Sequence, residues 1–230
     1  MKLLAGLLLL LAATAPRAAP TEVNAEYKVF INGLLGARVQ ESYVRKGDAY
    51  TIESKSTADG AVKMFRDETL VYISEGRFGA GGLEPRVFER RQASDRSRDV
   101  RATFDWKNGV MHSSYKGESS EVGLPPGTQD RLSMMYQFMN HVPRGNTVEV
   151  NMSNGRKIER YTYRLTEEVR LKTPAGDFDT LHYERVVTEP GQSKAQLWLA
   201  KDKFNLPVRV LFEDAKGIRL DQTIVELQAR

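Results

Sequence analysis

Leu197-Trp198-Leu199-Ala200-Lys201-Asp202-Lys203-Phe204-Asn205-Leu206-Pro207-Val208-Arg209-Val210, followed closely by Glu213-Asp214-Ala215-Lys216-Gly217, reads as a strand, a turn, a second strand and another tight turn. Pro207 falls where a strand begins, a place that tolerates its missing N–H. Val208, Val210 and Phe212 alternate with Arg209, the period-two signature of a strand with one buried face. The same pattern recurs along the chain. Tyr27, Val29 and Ile31 alternate with Lys28 and Asn32; Val100, Ala102, Phe104 and Trp106 alternate with Arg101, Thr103 and Asp105. Val148, Val150 and Met152, then Tyr161, Tyr163 and Leu165, repeat it, and Thr223, Val225 and Leu227 close the chain the same way. One face on a core and one in water is the habit of antiparallel sheets.

The punctuation agrees. Lys46-Gly47-Asp48, Lys107-Asn108-Gly109, Ser153-Asn154-Gly155, Pro174-Ala175-Gly176-Asp177 and Ala215-Lys216-Gly217 lie between these runs. Gly and Asn accept the positive φ angles that tight hairpins need. Strands separated by short turns, without intervening helices, predict one meandering antiparallel sheet of about ten strands. Its strong curvature would make a half-barrel or open barrel.

One segment breaks the alternation. After Leu124-Pro125-Pro126-Gly127, residues 130–142 read as a helix that Thr128 or Asp130 caps and Pro143 stops. Leu132, Met135 and Met139 share a face, with Met134, Phe138 and Val142 beside it. A helix this apolar belongs against the concave side of the sheet. Residues 61–68 are a weaker helical candidate. The glycine-rich loop Phe78-Gly79-Ala80-Gly81-Gly82-Leu83-Glu84-Pro85 lacks the Gly-Lys-Ser/Thr ending of a phosphate loop. Flexibility or a close backbone approach is the reading for its glycines.

Compartment follows from the start of the chain. Lys2, an uncharged apolar run from Leu3 to Ala13 and a small-residue region up to Ala19 have the layout of a secretory signal peptide. The run is shorter than the roughly 20 residues of a membrane span. Residues 1–25 are therefore assigned to the leader, with cleavage between 18 and 25, after Ala18 or Ala25. Residues 26–230 form a single antiparallel β domain. The absence of cysteine means that an exported protein of this kind is held together by burial alone. Its reading is periplasmic, soluble after leader removal and without a transmembrane segment.

The 34 Lys+Arg against 30 Asp+Glu include Lys2 and Arg17 of the leader, so the mature chain is nearly balanced. That balance and the exported destination argue against a nucleic-acid partner. Arg86, Arg90, Arg91, Arg96, Arg98 and Arg101 form a local exception, offset by Glu89, Asp95 and Asp99. They read as a solvated mixed-charge hairpin, the alternative being contact with acidic headgroups or envelope glycans.

Catalytic signals are weak. His112, His141 and His182 stand in different elements without ligand spacing, so no metal and no cofactor is implied. There is no Gly-x-Ser-x-Gly elbow. Asp177 and Asp179 would share a strand face as paired carboxylates or as ordinary solvated acids. Met134, Met135, Met139 and Met152 suit a core or an adaptable apolar pocket better than a copper site. Trp106 and Trp198 read as core aromatics or as surfaces for a ligand.

Tyr27-Lys28-Val29-Phe30-Ile31-Asn32-Gly33-Leu34-Leu35-Gly36 resembles the first hairpin of a bacterial exported family, the domain-of-unknown-function 3108 family. Gly82-Leu83-Glu84-Pro85-Arg86-Val87-Phe88, Gln129-Asp130-Arg131-Leu132-Ser133, the stretch from Thr173 to Tyr183 and the C-terminal stretch from Leu197 to Gly217 continue the resemblance in order. It brings no catalytic residues. More distantly, the strand carrying Trp198, then Asp202, Leu206-Pro207 and the turn at Asp214 to Gly217, looks like the final strands of Lol-type periplasmic lipoprotein carriers. That likeness implies a half-barrel with helices on the concave side, holding acyl chains there.

Together these readings give a non-enzymatic periplasmic protein that binds a lipid-like or other apolar envelope molecule between sheet and helix. Met135, Phe138, Met139 and Trp198 would line the site, the Met-rich helix facing Trp198 across the concavity. The alternative is a structural or interaction protein with an envelope partner, using a strand edge or the arginine hairpin. A hydrolase of envelope polymers is the third reading.

Overall fold

The structure is a computed structural model that describes residues 19–65, 68–79, 81–139 and 145–230. Its described residues form one fifteen-stranded sheet rather than ten strands. The N-terminal half is a meander of β1 (Glu22–Ile31), β2 (Leu34–Lys46), β3 (Ala49–Ala58), β4 (Thr69–Gly79), β5 (Gly82–Gln92), β6 (Val100–Asp105), β7 (Val110–Tyr115) and β8 (Glu118–Gly123). The C-terminal half is β9 (Gln129–Asp130), β10 (Thr147–Ser153), β11 (Ile158–Thr173), β12 (Gly176–Arg185), β13 (Lys194–Ala200), β14 (Leu206–Glu213) and β15 (Arg219–Ala229). Each strand pairs with its sequence neighbour except at two places. β1 pairs with β15, and the sheet is open between β8 and β9. All pairings are antiparallel except the two-residue contact of β9 with β10.

The extra strands escaped period-two reading for physical reasons. β8 (ESSEVG) has no apolar face because nearly every residue in it is exposed. β3, β4 and β7 place serines on their inward faces: Ser54, Ser74 and Ser113 are buried beside Ile52, Tyr50 and Met111. β15 departs in phase. A bulge opposite Glu26 and Tyr27 pairs Tyr27 with Ile224, so Ile224 is fully buried while Thr223 and Val225 are not.

The start of β1 and the C-terminal Arg230 meet in the middle of the sheet. Thr21 N–H donates to Arg230 O at 2.7 Å, and Arg230 N–H donates to Glu22 O at 2.9 Å. Val23, 1% exposed, pairs with Ala229 across this seam.

The expected thirteen-residue helix is shorter. Gln129 and Asp130 are β9, and the helix α2 spans Ser133–Gln137; residues 140–142 of the expected helix lie outside the described residues. A second short helix, α1 (Gly60–Phe65), lies between β3 and β4 where the sequence predicts the weaker candidate at 61–68; residues 66–67 lie outside the described residues. Leu132 and Met139 share one face and Met134 and Phe138 another, while Met135 packs against both groups and Val142 lies outside the described residues. Leu132, Tyr136 and Met139 pack with Tyr43, Tyr50, Ile52, Leu83 and Leu206. Met134 and Phe138 pack with Tyr163, Tyr183, Leu197 and Leu199. These partners come from strands in both halves of the sheet, so the segment sits inside its curve.

Asp130 anchors that segment. It is fully buried, and its Oδ1 accepts the N–H groups of Leu132 at 2.8 Å and Ser133 at 2.9 Å, while Ser133 Oγ accepts Asp130 N–H at 2.9 Å. This reciprocal box satisfies donors at the start of α2. Asp130 Oδ2 accepts from Ser74 Oγ at 2.5 Å, and Ser74 Oγ lies 3.2 Å from the Tyr50 hydroxyl. The box is thereby bonded to the barrel wall. At the other end of α2, Gln137 Oε1 accepts Leu83 N–H at 2.7 Å and Gln137 Nε2 donates to Gly81 O at 2.8 Å. Gly82 has φ +92°, and a Cβ there would stand 2.5 Å from the Gln137 amide. Close approach therefore accounts for this glycine.

Burial pushes the Asp130 carboxyl up to about 6, against its hydrogen bonds from Ser74, Ser133 and Leu132, which favour the ionised form. A folded-state pKa above the unfolded one means that the native state holds a proton which the unfolded state has lost. The associated stability is complete below about pH 4 and is lost as pH rises to about 6. At 1.36 kcal/mol per unit the loss is about 3 kcal/mol. Chemical denaturation from pH 4 to 7 is expected to show this fall in the native chain and a fall smaller by about that amount in Asp130→Asn, where the buried Glu41 carboxyl still contributes in the same direction. In that variant the new amide donates to Ser74 Oγ, which turns its proton to Tyr50.

Candidate functional site

The interior is divided lengthwise. At the end where β1, β3 and β14 begin, the cluster of Val23, Tyr43, Tyr50, Leu83, Tyr136 and Leu206 fills the barrel, and Tyr43 stacks on Tyr136 at 5.3 Å between ring centroids. Toward the end of β1 and β14 and the start of β15 the interior opens into a cavity of about 490 Å³. Met135 and Leu132 form its inner limit, and Leu197, Val210, Phe212 and Leu220 belong to its apolar wall.

Its polar groups are organised at two levels. Near the plug, Glu41 Oε1 accepts from Ser54 Oγ at 3.0 Å and Oε2 from the Tyr136 hydroxyl at 3.3 Å. Burial raises its carboxyl above the ordinary value, with these two hydrogen bonds opposing. At the rim stand Arg131, Lys157, Glu159, Tyr161 and Arg185. The Arg185 guanidinium lies 3.7 Å from the Tyr161 ring centroid and donates to Ser193 Oγ at 2.8 Å. Glu159 Oε2 accepts from the Tyr161 hydroxyl at 2.8 Å, and Glu159 pairs with Lys157 at 2.9 Å. Burial disfavours the Glu159 carboxylate, but bonds from Lys157 and Tyr161 outweigh it and hold the carboxyl below its usual range. Burial pushes the Tyr163 phenol up to about 12, with Arg185 and Arg131 pulling the other way.

Of the four residues expected to line the site, Met135 does so. Phe138 and Met139 are buried in the packing on either side of the helical segment. Trp198 lies elsewhere. Successive side chains of a strand point to opposite faces; Leu197 and Leu199 pack with Met134 and Phe138, so Trp198 faces away from the Met-rich helix. It forms part of a row across four strands that pairs Glu167 with His182, His182 with Trp198 and Trp198 with Arg209. The His182 ring stacks on Trp198 at 4.3 Å, and the Arg209 guanidinium sits 4.8 Å from the Trp198 centroid. Arg209 reaches Asp221 with two hydrogen bonds, at 2.9 and 2.6 Å. His182 Nδ1 is 3.1 Å from Thr166 Oγ1 and 3.3 Å from Glu167 Oε1, and its Nε2 is 3.2 Å from Gln196 Oε1.

The other chemical candidates have ordinary partners. Trp106 donates to Pro85 O at 2.6 Å and stacks on Phe104. Asp177 and Asp179 both face Arg170, at 3.5 and 3.2 Å. In the arginine hairpin Arg91 and Arg101 pair with Glu89, Arg96 with Asp99 and Arg98 with Asp95. His112 is on β7 beside Glu121, and His141 lies outside the described residues. The rim set of Arg131, Lys157 and Arg185 was missed in the sequence because these residues belong to three separate segments. The one available signal was Arg131 within the Gln-Asp-Arg-Leu-Ser motif.

An open meandering barrel around an internal plug and a rimmed cavity defines a β-barrel-like class of fold. A family model described as "Protein of unknown function (DUF3108)" matches residues 25–223, and the chain belongs to that family. A comparison with curated proteins finds no match. Among solved structures, a beta-barrel-like protein of domain of unknown function DUF1849 from Brucella abortus is similar, with a TM-score of 0.60 at 9% identity, covering 93% of this chain and 100% of that one. This likeness concerns the fold. A protein with a YmcC-like fold from Bacteroides fragilis aligns at a TM-score of 0.37 and 12% identity, over 91% of this chain and 96% of that one. No helix among the described residues is long and apolar enough to cross a membrane.

Because Trp198 faces away from the cavity, Trp198→Phe is expected to act on stability alone. It weakens the contacts with His182 and Arg209 and lowers the unfolding free energy by about 1 kcal/mol. Chemical denaturation of the two proteins measures this fall.

Proposed function

We propose that this chain is a non-enzymatic periplasmic binding protein whose barrel interior holds a lipid-like or other apolar molecule of the cell envelope. The cavity beside Met135 carries the reading: at about 490 Å³ it falls within the range of small-molecule sites, with an apolar wall and a few polar groups at its rim. Packing accounts for the plug end of the barrel but leaves this end unfilled. The Brucella abortus likeness supports the barrel, and the leader-like start of the chain supports the destination.

A second reading, interaction with another envelope component, rests on β8. This edge strand is exposed along nearly its whole length and offers an unpaired backbone edge for strand addition. The arginine hairpin supports it less, since its cations are largely paired within the chain.

Delipidated protein is expected to take up a fluorescent acyl probe stoichiometrically. Met135→Asp is expected to weaken uptake by about tenfold or more by placing a carboxylate on the apolar wall, while the protein remains folded by circular dichroism. Leu197→Asp, at a position with no exposed surface, is expected to unfold it. No uptake by the native protein overturns the cavity reading in favour of the β8 edge.

Leader removal has a structural consequence. Cleavage after Ala25 would delete residues 22–25 of β1, including buried Val23, whereas cleavage after Ala18 leaves the strand whole. N-terminal sequencing of protein recovered from the periplasm is expected to begin at Ala19; a start at Glu26 would contradict this assignment.

A further inference from the structure

Three cations stand at one end of the cavity. Arg131 enters from the turn between β9 and α2, Lys157 from the β10–β11 turn and Arg185 from the end of β12. Glu159 is the carboxylate among them, and Lys157 already pairs with it. Arg131 forms no ion pair among the described residues, and Arg185 is held by a hydroxyl and a ring rather than by a carboxylate. Both guanidinium groups act on the same two phenols, Tyr161 and Tyr163. Two guanidinium groups thus stand on one wall of the cavity, and the single rim carboxylate, Glu159, is shared between Lys157 and Arg185, so the three cations exceed their counter-charge. Arg131 is exposed and Arg185 half-buried, so it is at Arg185 that an anion relieves a desolvation cost, while Arg131 is free to close on the same anion.

We propose that the molecule held in the cavity is an amphiphile with an anionic head, a carboxylate or a phosphate, bound by Arg131 and Arg185 beside Tyr161, with its apolar body along Met135, Val210, Phe212 and Leu220. The assignment rests on the cavity reading above and adds the head-group chemistry to it. Guanidinium is suited to the role because its planar fork bonds carboxylate and phosphate oxygens in pairs. The Ser193 hydroxyl and the Tyr161 ring hold the Arg185 fork in place without neutralising it. The deeper Glu41 carboxyl, already bonded by Ser54 and Tyr136, disfavours an anion at the plug end. The ligand is therefore oriented head to rim and tail to plug.

The test compares three probes on delipidated full-length protein by fluorescence titration: a dansyl-labelled fatty acid, its methyl ester, and a lysophospholipid with the same label and a phosphate head. The native chain is expected to prefer an anionic probe over the ester. The double variant Arg131→Ala/Arg185→Ala is expected to weaken binding of that anion by about tenfold or more and to leave the ester unchanged. The double lysine variant, which keeps the charge, is expected to recover part of the loss and guards against a folding defect, as does an unchanged melting temperature. Arginine dependence for the fatty acid identifies a carboxylate head, and for the lysophospholipid alone a phosphate head. Equal binding of acid, phosphate and ester, or anion binding that survives the alanine substitutions, overturns the head-group assignment and leaves the cavity reading intact. Failure of all three probes overturns both.

Discussion

The pairing of β1 with β15 holds the molecule together as one barrel. Every other antiparallel pairing joins sequence neighbours, so each half is a local meander that loses little entropy on loop closure. β1 and β15 come from opposite ends of the chain, and their register runs from Val23 with Ala229 to Ile31 with Leu220. Joining them makes the two meanders a single curved sheet and encloses the faces carrying Tyr27, Val39 and Ile224. The large sequence separation makes this closure the slow, non-local step of folding. It also makes Thr21 and the C-terminal Arg230 part of the ladder.

Closure creates an interior that the strands alone do not fill, and the segment from Thr128 to Met139 enters it. An irregular segment inside a barrel needs partners for its backbone groups. Asp130 supplies them at one end of α2, and the exchange of Gln137 with Leu83 and Gly81 supplies them at the other. The motif Gln129-Asp130-Arg131-Leu132-Ser133 divides its work accordingly. Asp130 and Ser133 close the box, Leu132 enters the plug, and Arg131 reaches the cavity rim. Because the plug occupies one end only, the other end remains a cavity. The fold's means of filling itself therefore also decides where a ligand has room.

The C-terminal hairpin shows how far a sequence reading carries. Its strands, its turn and the place of Pro207 are legible because they depend on local chemistry: alternation, a missing N–H, positive φ at Phe204 and Asn205. The direction in which Trp198 points is not. In an apolar run such as Leu197-Trp198-Leu199-Ala200 both faces are buried, so alternation gives no phase. Leu197 and Leu199 take the interior, and Trp198 takes the side where His182 and Arg209 flank it. The bulge at Val225 had a similar effect on β15, turning Ile224 inward where a strict period of two would place its neighbours.

By itself the sequence determined a mostly β chain of antiparallel hairpins, one apolar helical segment, an export-like start and the absence of cysteine. All of these depend on residues within a few positions of one another. Only the tertiary structure decided the count of fifteen strands, the β1–β15 closure, the plugged and open ends, and the gathering of Arg131, Lys157 and Arg185 at one rim. The reason is geometric. Strand pairing across about two hundred residues and the convergence of three separate segments are properties of the folded sheet, and no local pattern along a chain encodes the distance between its separate parts.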